Sequence, residues 1–77
     1  MSEKAQIIFM QVRLIRLASV TWRLPMEKVL SIFHNFQVFE YIEACYGIFH
    51  CEGDEVILTE ITEYLHGKGM TCYAGVV

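Results

Sequence analysis

Apolar residues recur with a helical period along most of the chain, beginning with a long run from Glu3 to Thr21. At about 100° per residue, Ile7, Ile8, Met10, Leu14, Ile15, Leu17, Ala18 and Trp22 fall within one half of the helical wheel. Gln6, Arg13, Arg16, Ser19 and Arg23 mark the other half, yet Phe9, Val12 and Val20 lie among them. One exposed apolar side chain is ordinary. Three within a single basic face predict a second buried contact on the outer side of this helix.

Pro25 suits the first turn of a second helix, where a missing N–H costs nothing. Met26, Val29, Leu30 and Phe33 follow at i, i+3, i+4 and i+7, and His34-Asn35 marks its end. A short connection at Phe36-Gln37 leads to a third helix, about Val38 to Phe49, with Phe39, Ile42, Cys45, Tyr46 and Phe49 inward. Glu52-Gly53-Asp54 reads as a turn. Val56-Ile57-Leu58 is β-branched at two positions and reads as a short strand at most, while the tail Met70–Val77 either frays or pairs with it as a second strand. Thr59 then reads as the N-cap of a fourth helix, with Glu60 and Glu63 in the first turns, Ile61, Tyr64 and Leu65 as its apolar stripe, and Gly67 closing it. The expected architecture is therefore mainly all-α: a compact four-helix domain with a short two-stranded β element. Residues 1–77 make one small domain, without repeats or a linker.

Composition changes this picture in one respect. Of the 77 residues, 55% are apolar and only 19% charged, which excludes disorder as the main state. A chain this short buries only about 60% of the surface it exposes when unfolded, so apolar surface is expected to remain outside the monomer core. Charge is unevenly spread. Residues 1–28 hold Lys4, Arg13, Arg16, Arg23 and Lys28 against Glu3 and Glu27, five cations and two acids for a net of +3. Residues 29–77 hold Lys68 against seven acids, a net of −6. The halves attract, within one molecule or between two.

The start Met1-Ser2-Glu3-Lys4 lacks a basic region, and Arg13 and Arg16 interrupt the apolar run after it, unlike a signal peptide. The longest stretch free of Asp, Glu, Lys and Arg is Val29 to Phe39, well short of the roughly 18 residues of a spanning helix. No membrane association is expected. Three cysteines (Cys45, Cys51 and Cys72) are an odd number, unlike a secreted disulfide framework. The expectation is a cytoplasmic protein with reduced thiols.

Candidate chemistry is sparse. His50-Cys51 with Cys45, and His34 or Cys72 as a fourth ligand, would make a metal set, but no Cys-x-x-Cys or His-x-x-x-His spacing supports it. Cys45 also falls on the inward stripe, where a thiol behaves as a small hydrophobe. His50 beside Cys51 is adjacency in sequence, while a catalytic base needs hydrogen-bond reach and a third group to orient it. No Gly-rich phosphate loop or nucleophile elbow is present. The chain therefore reads as no enzyme, with no cofactor and no metal. The alternative is a small nucleic-acid-binding regulator of helix-turn-helix type, since the second and third helices follow each other closely. Its recognition helix would present Glu40 and Glu43, with no Lys or Arg between Val29 and Glu60, so phosphates would be repelled. Tyr41, Tyr46, Tyr64 and His50 form a group of amphipathic aromatic side chains, read either as a layer where two helices meet or as a recognition surface.

Tyr41-Ile42, Tyr46, Phe49-His50, Gly53, Val56-Ile57-Leu58 and Ile61 with Tyr64-Leu65 form a spaced aromatic and aliphatic pattern. Through it, the segment from Pro25 to Gly69 resembles a small bacterial family catalogued as domain of unknown function 3791. The first helix, more apolar than that family's pattern, and the Met70–Val77 tail depart from the resemblance. It carries no established activity. Because such genes often neighbour predicted ADP-ribosyltransferase-like toxins, the resemblance implies an antitoxin-like or accessory partner of a larger bacterial protein. The residues themselves point to a protein-interaction module forming a homodimer or higher oligomer. Phe9, Val12, Arg13, Arg16 and Val20 are the interface candidates, and Tyr41, Tyr46, His50 and Tyr64 the surface aromatic candidates.

Overall fold

The computed structural model describes residues 2–68, which form five helices joined by short turns: α1 (Glu3–Trp22), α2 (Met26–Asn35), α3 (Val38–Ala44), α4 (Tyr46–Phe49) and α5 (Asp54–Gly67). The fold is all-α. Gly69 and the tail Met70–Val77, including Cys72, lie outside the described residues.

α1 starts where Ser2, in an extended conformation, accepts the Ala5 N–H on its hydroxyl at 3.2 Å, with Glu3 in the first turn. It ends at Arg23, which takes the left-handed conformation usually given to glycine (φ 57, ψ 45) and returns its N–H to the Ser19 carbonyl. The Ser19 hydroxyl donates to the Leu24 carbonyl at 2.6 Å, fixing the exit toward Pro25. Pro25 caps α2 from just outside its first turn. Gln37 is the second left-handed residue (φ 59, ψ 38) and turns the chain from α2 into α3. From across the molecule, the Tyr64 hydroxyl donates to the Phe36 carbonyl at 3.0 Å and reaches the Gln37 carbonyl at 3.4 Å, so α5 ties this corner down.

α1 packs against α2, α3 and α5. Its buried stripe of Ile7, Met10, Leu14, Ile15, Ala18 and Trp22 matches the apolar half-wheel, except that Ile8 at the edge of that arc is exposed. Val29, Ile32 and Phe33 come in from α2, Val38 and Ile42 from α3, Phe49 from α4, and Ile57, Leu58, Ile61 and Leu65 from α5. Edge-on ring contacts, Trp22 to Phe33 at 6.3 Å and Phe33 to Phe39 at 5.5 Å, link α1, α2 and α3.

Three expectations need correction. The buried side of α2 is anchored on Val29, Ile32 and Phe33 with Phe36 packed beside them, so Met26 and Leu30 fall on its outer flank and are exposed. The third helix is broken at Cys45 (φ −100, ψ 8) into α3 and α4. Gly47 follows the break, and a Cβ built there meets nothing within 4 Å. It therefore contributes only its weak tendency to propagate a helix. Of the side chains expected inward there, Ile42 and Phe49 are buried, while Phe39, Cys45 and Tyr46 are half-buried against the core.

The last correction is the largest. Val56-Ile57-Leu58 is not a strand but part of α5, which begins at Gly53 as N-cap with Asp54 and Glu55 in its first turn. Alternation would hide Val56 with Leu58, whereas Ile57 and Leu58 are buried and Val56 is exposed, the pattern of a helix continuing to Ile61 and Leu65. Thr59 lies inside this helix and donates its hydroxyl to the Glu55 carbonyl at 3.1 Å, so it caps nothing.

Removing the Phe33 ring at the meeting point of three helices should cost about 3–5 kcal/mol, which is about all that so small a domain holds in reserve. Phe33→Ala is therefore expected to abolish the cooperative thermal transition in circular dichroism. Tyr64→Phe loses only the hydroxyl that closes the α2–α3 corner, and should melt cooperatively with about 1 kcal/mol less stability.

Candidate interaction surface

The side of α1 facing away from the core carries the exposed apolar side chains of Phe9, Val12 and Val20, with Ile8 exposed at the edge of the core-facing arc. Ile8 is 50% exposed, Phe9 52%, Val12 40% and Val20 77%. From Ile8 to Val20 they run about 18 Å along the helix. The expected trio is thus present on the surface, and Ile8 joins it. Arg13 and Arg16 are exposed along the same line, but they are not equivalent. Arg13 Nε donates to Asp54 Oδ2 at 3.0 Å, binding α1 to the start of α5. Arg16 forms no ion pair among the described residues. Part of the attraction between the halves of the chain is therefore satisfied internally.

The four aromatic candidates separate into two groups. Tyr41 and Tyr64 stack on each other, centroids 4.1 Å apart and planes 16° apart, and Tyr41 meets the edge of Phe49 at 5.6 Å. Burial pushes the Tyr41 phenol above its ordinary value, and Cys45, Glu60, Tyr64 and Glu63 push it further. Lys68 Nζ sits 5.4 Å from the Tyr64 ring centroid. This group is the layer between helices, with the Tyr64 hydroxyl spent on the backbone.

Tyr46 and His50 form the second group, stacked at 5.3 Å and 24°. The Tyr46 hydroxyl donates to Gln6 Oε1 at 2.7 Å, so α4 reaches back to the first turn of α1. Between them runs an open groove of about 610 Å³, with Gln6, Phe9, Met10 and Arg13 on the α1 side and Tyr46, His50 and Glu52 on the other. Phe9 and Arg13, from the interface set, and Tyr46 and His50, from the aromatic set, meet in it. Glu52 was read only as a turn residue. It lines the groove with Oε1 buried and without a hydrogen-bond partner. The nearby Glu60 carboxyl is held above its ordinary value, first by its hydrogen bond to Glu52, then by desolvation and by repulsion from Glu52. Only the crowding of acids in the second half of the chain hinted at this pair.

His50 Nδ1 lies 3.0 Å from the Tyr46 carbonyl, and its Nε2 lies 3.5 Å from Cys51 Sγ. If Nδ1–H donates to that carbonyl, Nε2 is left to accept from the thiol. No group of three His, Cys, Asp or Glu side chains able to hold a metal occurs among the described residues, and no helix there is long and apolar enough to cross a membrane. α3 presents Glu40 and Glu43 to solvent and carries no cation.

With this geometry in place, comparison with known sequences finds that residues 9–68 match the family described as a protein of unknown function, DUF3791. The chain belongs to that family. The DUF3791 match begins at Phe9, so it takes in most of α1 as well as the segment after Pro25. The outer face of α1 from Phe9 onward, all of α2–α5 and the groove except Gln6 thus lie inside the DUF3791 unit. Neither a curated protein nor a solved structure matches the chain significantly.

The Glu52–Glu60 pair makes stability depend on pH. A carboxyl whose value is raised by folding binds its proton more tightly in the native state, so stability falls as pH rises from the ordinary glutamate value through the raised one. Glu60→Gln cannot ionise and escapes that fall. It should melt above the unsubstituted protein at neutral pH, with the difference vanishing in acid, as read from melting temperatures across a pH series.

Proposed function

We propose that the chain is a non-enzymatic protein-interaction module that self-associates through the outer face of α1. The observation that carries this reading is the uncovered line of Ile8, Phe9, Val12 and Val20 on one helix. Contiguous apolar surface of this kind, rimmed by charge, marks association sites. An antiparallel two-fold pairing of α1 helices would keep Arg16 of one copy away from Arg16 of the other, which a parallel pairing would not. It would also carry each basic α1 toward the acidic side of its mate.

The exposed portions of these side chains gain about 1–2 kcal/mol each on burial, set against an association cost of about 4–15 kcal/mol. Four from each copy bring a gain of the same order as that cost, the balance of a weak to moderate dimer rather than a very tight one. The charges set register and association rate, since exposed ion pairs contribute at most about 1 kcal/mol each. An ADP-ribosyltransferase-like partner of the kind implied by the resemblance would compete for the same face. The nucleic-acid reading draws no support from α3, whose outward acids would repel phosphate.

Val12→Glu combined with Val20→Glu should give a folded monomer, because both positions are exposed and neither touches the core stripe. Sedimentation velocity checks this beside a far-ultraviolet spectrum. An unsubstituted protein that sediments as a monomer at high micromolar concentration would refute self-association.

A further inference from the structure

We propose that, in the dimer, Arg16 of a second copy places its guanidinium in the groove between α1 and α4, against Glu52 and the stacked rings of Tyr46 and His50. The proposal rests on the self-association reading and assigns the groove its occupant.

The groove asks for a cation. Its own Arg13 is already engaged by Asp54 at 3.0 Å. Glu52 is half-buried in the groove wall and forms no ion pair with a Lys, Arg or His among the described residues, so the wall carries an acid without a counter-charge. Behind it Glu60 adds to the same concentration of carboxyl groups. The Tyr46–His50 stack offers ring surface at the groove wall, and a guanidinium is the cation best suited to lie on a ring while its fork of donors meets a carboxylate.

The chain supplies such a cation in a fitting place. Arg16 is exposed, lies on the outer line of α1 and has no ion pair among the described residues. In an antiparallel pair with its two-fold axis near Val12 and Arg13, position 16 of one helix lies over position 9 of the other. Phe9 is part of the groove wall. Its ring would flank the arginine stem, and the same contact would form twice. Arg13 already has Asp54 as its partner and Arg16 has none among the described residues, which separates two arginines that sequence alone leaves alike.

Charge exchange between two variants tests the contact. Arg16→Glu alone and Glu52→Arg alone each set like charges against each other at both contacts, and each should weaken dimerisation at least about tenfold, conservatively for truncation or reversal of a partly buried charge pair. Mixed in equal amounts, they form a heterodimer in which one contact is native and the other reversed but still complementary. Sedimentation of the mixture should recover the unsubstituted dimer. If the mixture stays monomeric, or if either variant alone dimerises as tightly as the unsubstituted protein, Arg16 does not occupy the groove. That result differs from failure of self-association itself, in which the unsubstituted protein is already monomeric and the proposal falls with the dimer. Should Glu52→Arg unfold, Arg16→Ala and Glu52→Gln replace the pair. Their combined effect should then be no larger than the bigger single effect, and full additivity would overturn the contact.

Discussion

α1 is too long for α2–α5 to surround. Its 20 residues present two sides along their whole length, while α2, α3 and α5 pack on one of them. Core formation therefore spends the shorter helices on the stripe from Ile7 to Trp22 and leaves the opposite side bare. That side is not simply polar, as the outside of a helix in a finished monomer tends to be. It alternates Ile8, Phe9, Val12 and Val20 with arginines, so this one helix carries both the core and the uncovered surface.

The helical period made α1 legible to within one residue at its end, because 20 residues give the pattern many turns in which to declare itself. Where the elements are short, two competing templates fit. Val56-Ile57-Leu58 satisfies a strand in isolation, and only its continuation through Ile61 and Leu65 reveals a single helix starting at Gly53. For α2, a stripe starting at Met26 and one centred on Val29 both satisfy helical spacing, and the neighbours that decide between them are α1 and α3. The break at Cys45 has weaker roots in sequence, with Gly47 its only local sign. The interface candidates were legible because Phe9, Val12 and Val20 violate the polarity of their own face. The groove was not, since it depends on the Tyr46–Gln6 contact across 40 residues and on the orientation of Glu52.

Charge separation along the chain resolves into two physical roles. Arg13 and Asp54 hold α1 against α5 at a solvent-exposed contact, which orients the helices more than it stabilises them. The acids left over are crowded, with the Glu60 carboxyl held above its ordinary value by its hydrogen bond to Glu52, by desolvation and by repulsion from Glu52. Such crowding works against the monomer. Local conflicts of this kind concentrate where a sequence serves something besides its own fold, and here the conflict borders the groove next to the uncovered face of α1.

Under the proposed self-association, fold and assembly would be linked by mass action. A domain with about 3–5 kcal/mol of stability gains about 2.7 kcal/mol when its partner is present at 100 times the dissociation constant, a large fraction of the total. In the proposed dimer, one event would both cover the exposed apolar side chains of α1 and bring a cation to the acidic groove wall. Because both lie on the flank of the one helix that organises the core, such an association would reinforce the fold through contacts that the core itself never uses.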